Sequence, residues 1–256
     1  MKKGLGIVLV SLLIVVSIVA LADDSGNMGL WSVQAYIDEF NMPTDDYYIV
    51  SNAIQGTFSN TVVNNETLTA YIFYGVNGEI WFRLFEYDEY AVNNVFSATT
   101  DYDIVMMDTN GERHYYTGHL YPKTQNILLD SDNHYPTAKG SGLYTTDALD
   151  LYNMLKLHPG TFRFAITQKD NPLIKYVFSI EDTSGFKEVL NELYGKPYEK
   201  YGIHVGTKIK HNTYGEGVIW GFTSLDGTIM LQMEVSPDNL QVFPLEKELN
   251  NIKILD

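Results

Sequence analysis

Glu86, Asp88 and Glu89 close an aromatic-rich run. Two carboxyl groups set across a glycosidic bond can hydrolyse it, one as the acid and the other as base or nucleophile. Spacing along the chain does not fix the gap between these groups, and a solvated strand end accounts for the same residues. His114 and His119 are also close in sequence, but an odd separation on a strand sends them to opposite faces, which argues against a shared metal. Asp130, Asp132 and Asn133 offer the oxygen atoms that a hard cation takes. Their run lacks the glycine and distant glutamate of an EF-hand loop. Ser184-Gly185-Phe186-Lys187 matches Ser-x-x-Lys, and Ser131-Asp132-Asn133 matches Ser-Asp-Asn. Here the second precedes the first and Lys-Thr-Gly is missing, so Ser184 is better read as a helix cap than as a nucleophile. There is no His-Glu-x-x-His, no Gly-x-Ser-x-Gly and no cysteine, which removes zincin, nucleophile-elbow, thiolate and disulfide chemistry. No catalytic residue, metal ligand or cofactor is assigned.

The binding candidates depend on the hairpin from Leu68 to Tyr87. Its two runs, Thr69 to Val76 and Glu79 to Tyr87, flank Asn77-Gly78, a strong signal for a two-residue turn. That turn sets Phe73 opposite Phe82, Tyr71 opposite Leu84 and Gly75 opposite Ile80 on one face. On the other it sets Tyr74 opposite Trp81, Ile72 opposite Arg83 and Ala70 opposite Phe85. Tyr74, Trp81 and Arg83 then form an aromatic and basic cluster in an acidic body, suited to stacking on a sugar or a peptide. Packing beneath a helix would use the same residues.

Three amphipathic helices are expected. The first runs from Leu30 to Phe40, striped by Val33, Tyr36, Ile37 and Phe40. The second spans Thr146 to Leu157, with Ala148, Leu151, Tyr152 and Leu155. The third follows Asp182-Thr183-Ser184, carries Phe186, Val189, Leu190 and Leu193, and stops at Gly195. Strands are read at Tyr47 to Ile54, with a continuation or bend at Gly56, and at Tyr102 to Met107 and Arg113 to Tyr121 about Asn110-Gly111. Thr161 to Thr167 and Leu173 to Ile180 follow, and beyond Gly202 come Thr207 to His211, Gly217 to Phe222, Thr228 to Glu234 and Leu240 to Phe243 with a short helical turn at Leu245 to Leu249. Residues 122–144 have loop chemistry around Ile127 to Leu129.

The 256 residues allow two cores. Tyr214 is the only one of the 19 tyrosines beyond Tyr201, and Lys196 to Gly202 reads as a linker. The expected fold is α+β: residues 23–201 as an antiparallel β-sheet domain with three helices, and 202–256 as a small SH3-like β-barrel. Residues 1–22 carry Lys2 and Lys3, an uncharged apolar run and Ala20-Leu21-Ala22, the pattern of a signal peptide cleaved after Ala22 or of an uncleaved membrane anchor. Either one exports the remainder, and any membrane attachment is through that helix alone. The net charge of −15 repels phosphate backbones, so nucleic acid is not an expected partner.

Val205-Gly206-Thr207-Lys208-Ile209-Lys210-His211-Asn212-Thr213-Tyr214-Gly215-Glu216-Gly217-Val218-Ile219 resembles the SH3/Tudor-like module at the C-terminus of UvrD/PcrA-type helicases. Gly206, His211, Tyr214, Gly215 and Gly217 carry the likeness. It implies a barrel that binds protein; helicase activity is not implied, since the chain has no Gly-Lys-Ser/Thr phosphate loop. Through Ile54-Gln55-Gly56-Thr57-Phe58-Ser59-Asn60 and Phe85-Glu86-Tyr87, the body resembles uncharacterised exported proteins of Gram-positive bacteria, a likeness that brings no activity. The expected function is that of an exported, non-catalytic binding protein of the envelope or extracellular space, with a protein or glycan partner. The alternative is a secreted polysaccharide hydrolase using paired carboxylates.

Overall fold

The computed structural model describes residues 29–255 except 77, 95–96, 131–134, 137–143, 146, 226–227 and 237–238. The leader reading of residues 1–22 and the Ser131-Asp132-Asn133 run therefore lie outside the described residues. Among those described, no helix is long and apolar enough to cross a membrane.

The strands of the N-terminal half are β1 (Trp31–Ile37), β2 (Pro43–Ser51), β3 (Ile54–Ser59), β4 (Glu66–Gly75), β5 (Ile80–Glu86) and β6 (Tyr90–Ala91). β7 (Thr100–Met107), β8 (Arg113–Leu120), β9 (Ile127–Leu129), β10 (Tyr135–Pro136) and β11 (Tyr144–Thr145) precede helix α1 (Asp147–Leu157). Then come β12 (Phe162–Gln168), β13 (Lys175–Ile180), helix α2 (Phe186–Gly195) and a 3-10 segment, Lys196–Tyr201. The remainder is β14 (Lys208–His211), β15 (Gly215–Leu225), β16 (Thr228–Ser236), β17 (Asn239–Pro244), helix α3 (Leu245–Glu248), a 3-10 turn and β18 (Ile252–Ile254).

Antiparallel strands make up 52% of the described residues, so the α+β reading holds in a strongly β form. Eight of them close into a barrel in the order β4-β3-β13-β12-β7-β8-β9-β5, with β5 returning to β4. Period-two alternation drives the closure: β13 is alternately exposed and buried along its whole length. Phe164 stacks on Phe178 at 5.1 Å, and Phe82 lies 5.7 Å from Phe164 and 6.2 Å from Phe178, all three buried. At eight strands side chains can fill the interior, and here aromatic rings do so. Gly56, expected as a possible bend, instead admits the neighbouring strand, since a Cβ there would collide with the backbone around Phe178. α1 and α2 cover the core, and Tyr74 packs against Tyr152 at 5.3 Å and Phe186 at 5.9 Å.

Two expectations are corrected. The helix expected at Leu30 to Phe40 is β1, paired with β2 from Trp31↔Ser51 to Ala35↔Tyr47. Val33, Tyr36, Ile37 and Phe40 do fit a helical period, but Trp, Val, Tyr and Ile also favour strands, and pairing with β2 decides between the two. Fully buried Trp31 then docks on Phe186 at 4.9 Å.

The second correction concerns the hairpin register. Phe73 pairs with Trp81, Tyr74 with Ile80 and Ile72 with Phe82. Gly78 N–H donates to Gly75 O and Gly75 N–H to Glu79 O, both at 2.9 Å, and Gly78 has φ 86°. The loop closes on the left-handed Gly78 and is one residue longer than the loop that Asn-Gly most often forms. A one-residue slip exchanges the faces of one strand relative to the other. Asn110-Gly111 is used the same way: Gly111 N–H donates to Asp108 O, Asp108 N–H to Glu112 O, and Gly111 has φ 81°.

Smaller differences concern α2. Its N-cap is Gly185 with φ 87° and no side-chain cap, while Ser184 Oγ donates to Asp182 Oδ2 at 2.7 Å. The chain stays helical past Gly195 through Lys196–Tyr201, where a linker was expected, and stops at Gly202, φ 73°. Beyond it lies a five-stranded antiparallel sheet in the order β17-β16-β15-β14-β18. Asn191 Oδ1 on α2 accepts from Phe222 N–H at 2.9 Å. Tyr194, Tyr198, Ile203 and Phe222 belong to the same buried cluster as the barrel interior.

Candidate functional site

β2 pairs with β4 only over Tyr48↔Gly75 to Val50↔Phe73. The β1–β2 hairpin therefore continues past the barrel wall as an arm, and its side chains extend the outer face of β4 and β5. On that face Val50, Phe73 and Trp81 form a second small core, with Tyr48, Tyr71 and Leu128 packed against it. Phe73 and Trp81 stack at 5.4 Å with 4° between their planes. Arg83 holds its guanidinium 5.4 Å above the Phe73 ring and donates from Nε to Asn126 Oδ1 at 2.9 Å. Burial lowers the Arg83 pKa, with the Tyr48 phenol opposing; guanidinium nevertheless stays charged at any ordinary pH.

An aromatic series leads outward from this core. Tyr48 lies 5.8 Å from Phe73, and Tyr36 lies 4.6 Å from Tyr48. Tyr48 OH donates to Gln34 Oε1 at 3.2 Å, and burial raises both phenol pKa values. At the end of the arm Phe40 is 75% exposed and Met42 60%. The turn is built to hold them there: Asp38 Oδ1 accepts from Phe40 N–H at 2.8 Å and Met42 N–H at 2.9 Å, and Asn41 has φ 60°.

Of the three predicted ligand-binding residues, Trp81 and Arg83 share this outer face and Tyr74 does not. Tyr74 points into the barrel, where its hydroxyl meets Tyr194 OH at 2.5 Å and burial raises its pKa. The slipped register is the reason, and it puts Phe73 in the place expected for Tyr74. Tyr36, Phe40 and Met42 escaped notice because their segment was read as a helix. The alternation of Val33, Ala35 and Ile37 was the available signal for a strand.

The resemblance residues serve the C-terminal sheet. His211 is buried between Tyr214 at 4.6 Å and Phe243 at 4.7 Å. Its Nδ1 accepts from Thr213 N–H at 3.1 Å, which leaves the neutral ring's proton on Nε2, 3.4 Å from Glu248 Oε2. Gly206 and Gly215 adopt φ 87° and 85°. A Cβ on Gly217 would come within 2.6 Å of Glu234 O, so β15 and β16 could not approach as they do.

Two of the three carboxylates raised as catalytic candidates, Glu86 and Asp88, are engaged at the barrel. Glu86 Oε1 accepts from Tyr176 OH at 3.0 Å, and Asp88 Oδ1 from Thr69 Oγ1 at 2.6 Å. His114 and His119 do go separate ways. His119 lies between Asp101 at 2.8 Å and Asp130 at 3.5 Å. His114 is 3.9 Å from Asp150, and with Asp108 and Glu112 it places ligand atoms within 4.8 Å of one another, a grouping that could hold a divalent cation. Buried Asp147 accepts from Thr117 N–H at 2.6 Å through Oδ2, whereas among the described residues Oδ1 has no hydrogen-bond partner. Burial above all, with Asp130 and Asp150 adding to it, pushes the Asp147 carboxyl up to about 6 against the pull of Thr117 N–H and His119.

Comparisons with family models, with curated proteins and with solved structures return no match to this chain.

Proposed function

We propose that this is an exported, non-catalytic binding protein that docks a protein partner on its β1–β2 arm and the adjoining outer face of β4 and β5. The observation that carries the reading is the arm's tip, where Phe40 and Met42 are held in solvent by hydrogen bonds from their own backbone to Asp38. Tyr, Trp, Phe, Met and Arg are the residues enriched at the centres of protein interfaces, and Lys, Glu and Asp are depleted there. A face of that composition on a chain of net charge −15 contrasts with the rest of its surface. Asp38, Glu39, Asp45 and Asp46 beside the tip oppose insertion into an anionic membrane. Export rests on Lys2, Lys3 and the apolar run after them. The sheet order β17-β16-β15-β14-β18 and the 3-10 turn Leu249–Asn251 before β18 support reading residues 202–256 as an SH3-like module.

Affinity capture from native envelope extract tests the proposal, with the secreted chain as bait and Phe40→Ser/Met42→Ser as the comparison. Loss of a captured protein from the double variant, with the melting temperature unchanged, supports the reading. Equal capture by both baits overturns it. Retention on insoluble polysaccharide that Tyr71→Ala abolishes would assign the face to glycan instead.

A further inference from the structure

A cavity of about 360 Å³ opens between α2 with its 3-10 extension and the C-terminal sheet. That is within the roughly 300–1,000 Å³ range of small-ligand sites. Its floor is apolar: the buried Phe222 ring lies against Gly195, where a Cβ would come within 2.9 Å of Phe222 Cε2. Its wall is acidic. Glu188, Glu192 and Glu199 follow one another along a single helical face, with His204 among the other lining residues. One lysine reaches this wall, Lys196, whose Nζ lies 3.4 Å from Glu199 Oε2. Lys187, also on α2, is turned instead onto the Trp220 ring at 5.1 Å. Among the described residues no basic group forms an ion pair with Glu188 or Glu192. Burial raises the Glu192 pKa, Glu199 adds to the effect and Lys196 opposes it.

We infer that this groove receives a lysine side chain from a basic peptide, its methylenes over Phe222 and Gly195 and its ammonium between Glu188 and Glu192. A lysine has the two chemistries in the order the groove presents them, an apolar stem and then a cationic head. A carboxylate that is partly desolvated and lacks a full counter-charge gains more from such a head than a solvated one does. The site is separate from the aromatic arm and would give the chain a second contact of opposite character.

Fluorescence anisotropy with a labelled tetralysine peptide tests this, because an acidic protein attracts polylysine without any specific site. Glu188→Gln/Glu192→Gln is compared with Glu39→Gln/Asp45→Asn, which changes the net charge equally elsewhere. Binding about tenfold weaker in the groove variant, near-unchanged binding in the control, and no binding of the acetyl-lysine peptide are expected. Equal weakening in both variants, or none in the groove variant, overturns the inference. All four side chains are at least partly exposed, so an unchanged melting temperature shows that folding is not the cause. Neither Phe40 nor Met42 is altered, so the outcome is independent of the partner-capture experiment.

Discussion

Phe73 and Trp81 lie directly opposite each other across β4 and β5 and stack almost parallel, 5.4 Å between centroids, on the outside of the barrel. Outer barrel faces usually meet water, so this pair acts as the foundation of the aromatic arm.

Trp81→Ala should therefore destabilise the protein although the residue faces outward. With Trp81 9% exposed, a loss of about 3 kcal/mol is expected, at the low end for truncating a large buried aromatic. Urea unfolding measures it. A change below about 1 kcal/mol would mean that the pair is not packed in solution.

Gly78→Ala and Gly111→Ala should each cost about 1 kcal/mol. Both glycines have positive φ, and an added Cβ meets nothing within 4 Å at either, so the cost is conformational rather than steric. Equal losses of midpoint in urea would show that both glycines hold the same left-handed conformation; no loss at Gly78 would show that it does not hold a positive φ in solution.

The Asp147 carboxyl is raised to about 6 in the folded protein, mainly by burial. A carboxyl with a raised folded pKa holds its proton more tightly in the native state than in the unfolded one. Its contribution to stability is thus lost as the pH rises from about 4 to about 6, on the order of 2–3 kcal/mol. Asp147→Asn keeps an acceptor for Thr117 N–H and removes the charge. Urea midpoints should match or exceed wild type at pH 7, and the gain on acidifying to pH 4.5 should shrink. A variant less stable at pH 7 with an unaltered pH profile would contradict this.

His211→Ala should cost about 2–4 kcal/mol, because it opens a gap between Tyr214 and Phe243 and strips Thr213 N–H of its acceptor. Hydrogen exchange should show the loss first in β14 and β15. Protection loss confined to the barrel would refute a local role for His211.

Local pattern was enough for much of the fold. β12 and β13 were legible from the alternation of Phe162, Phe164 and Ile166 with Tyr176, Phe178 and Ile180, and α2 from the stripe of Phe186, Val189, Leu190 and Leu193. Barrel closure was not, because it depends on which distant strands meet: β3 with β13, β7 with β12, and β5 with β9. The site was half legible for a related reason. Trp81 and Arg83 lie on one strand, so their shared side follows from sequence alone, whereas Tyr74 joins them only if the loop has two residues. Val33 and Ile37, four apart, satisfy both the helical and the strand period at once, and only the partner strand Tyr47 to Ser51 chooses between them.

Ring closure has a consequence for self-association. Each of the eight barrel strands has a neighbouring strand on both sides, and β6 at one end of the large sheet is only a two-residue strand. Among the described residues β1 is the long strand at the other end of that sheet, with no strand on its outer edge. Unpaired edges are where β proteins add foreign strands or stick to copies of themselves. Here that edge belongs to the arm that carries Phe40 and Met42, so the aggregation hazard of the large sheet's long edge lies where the proposed partner would cover it.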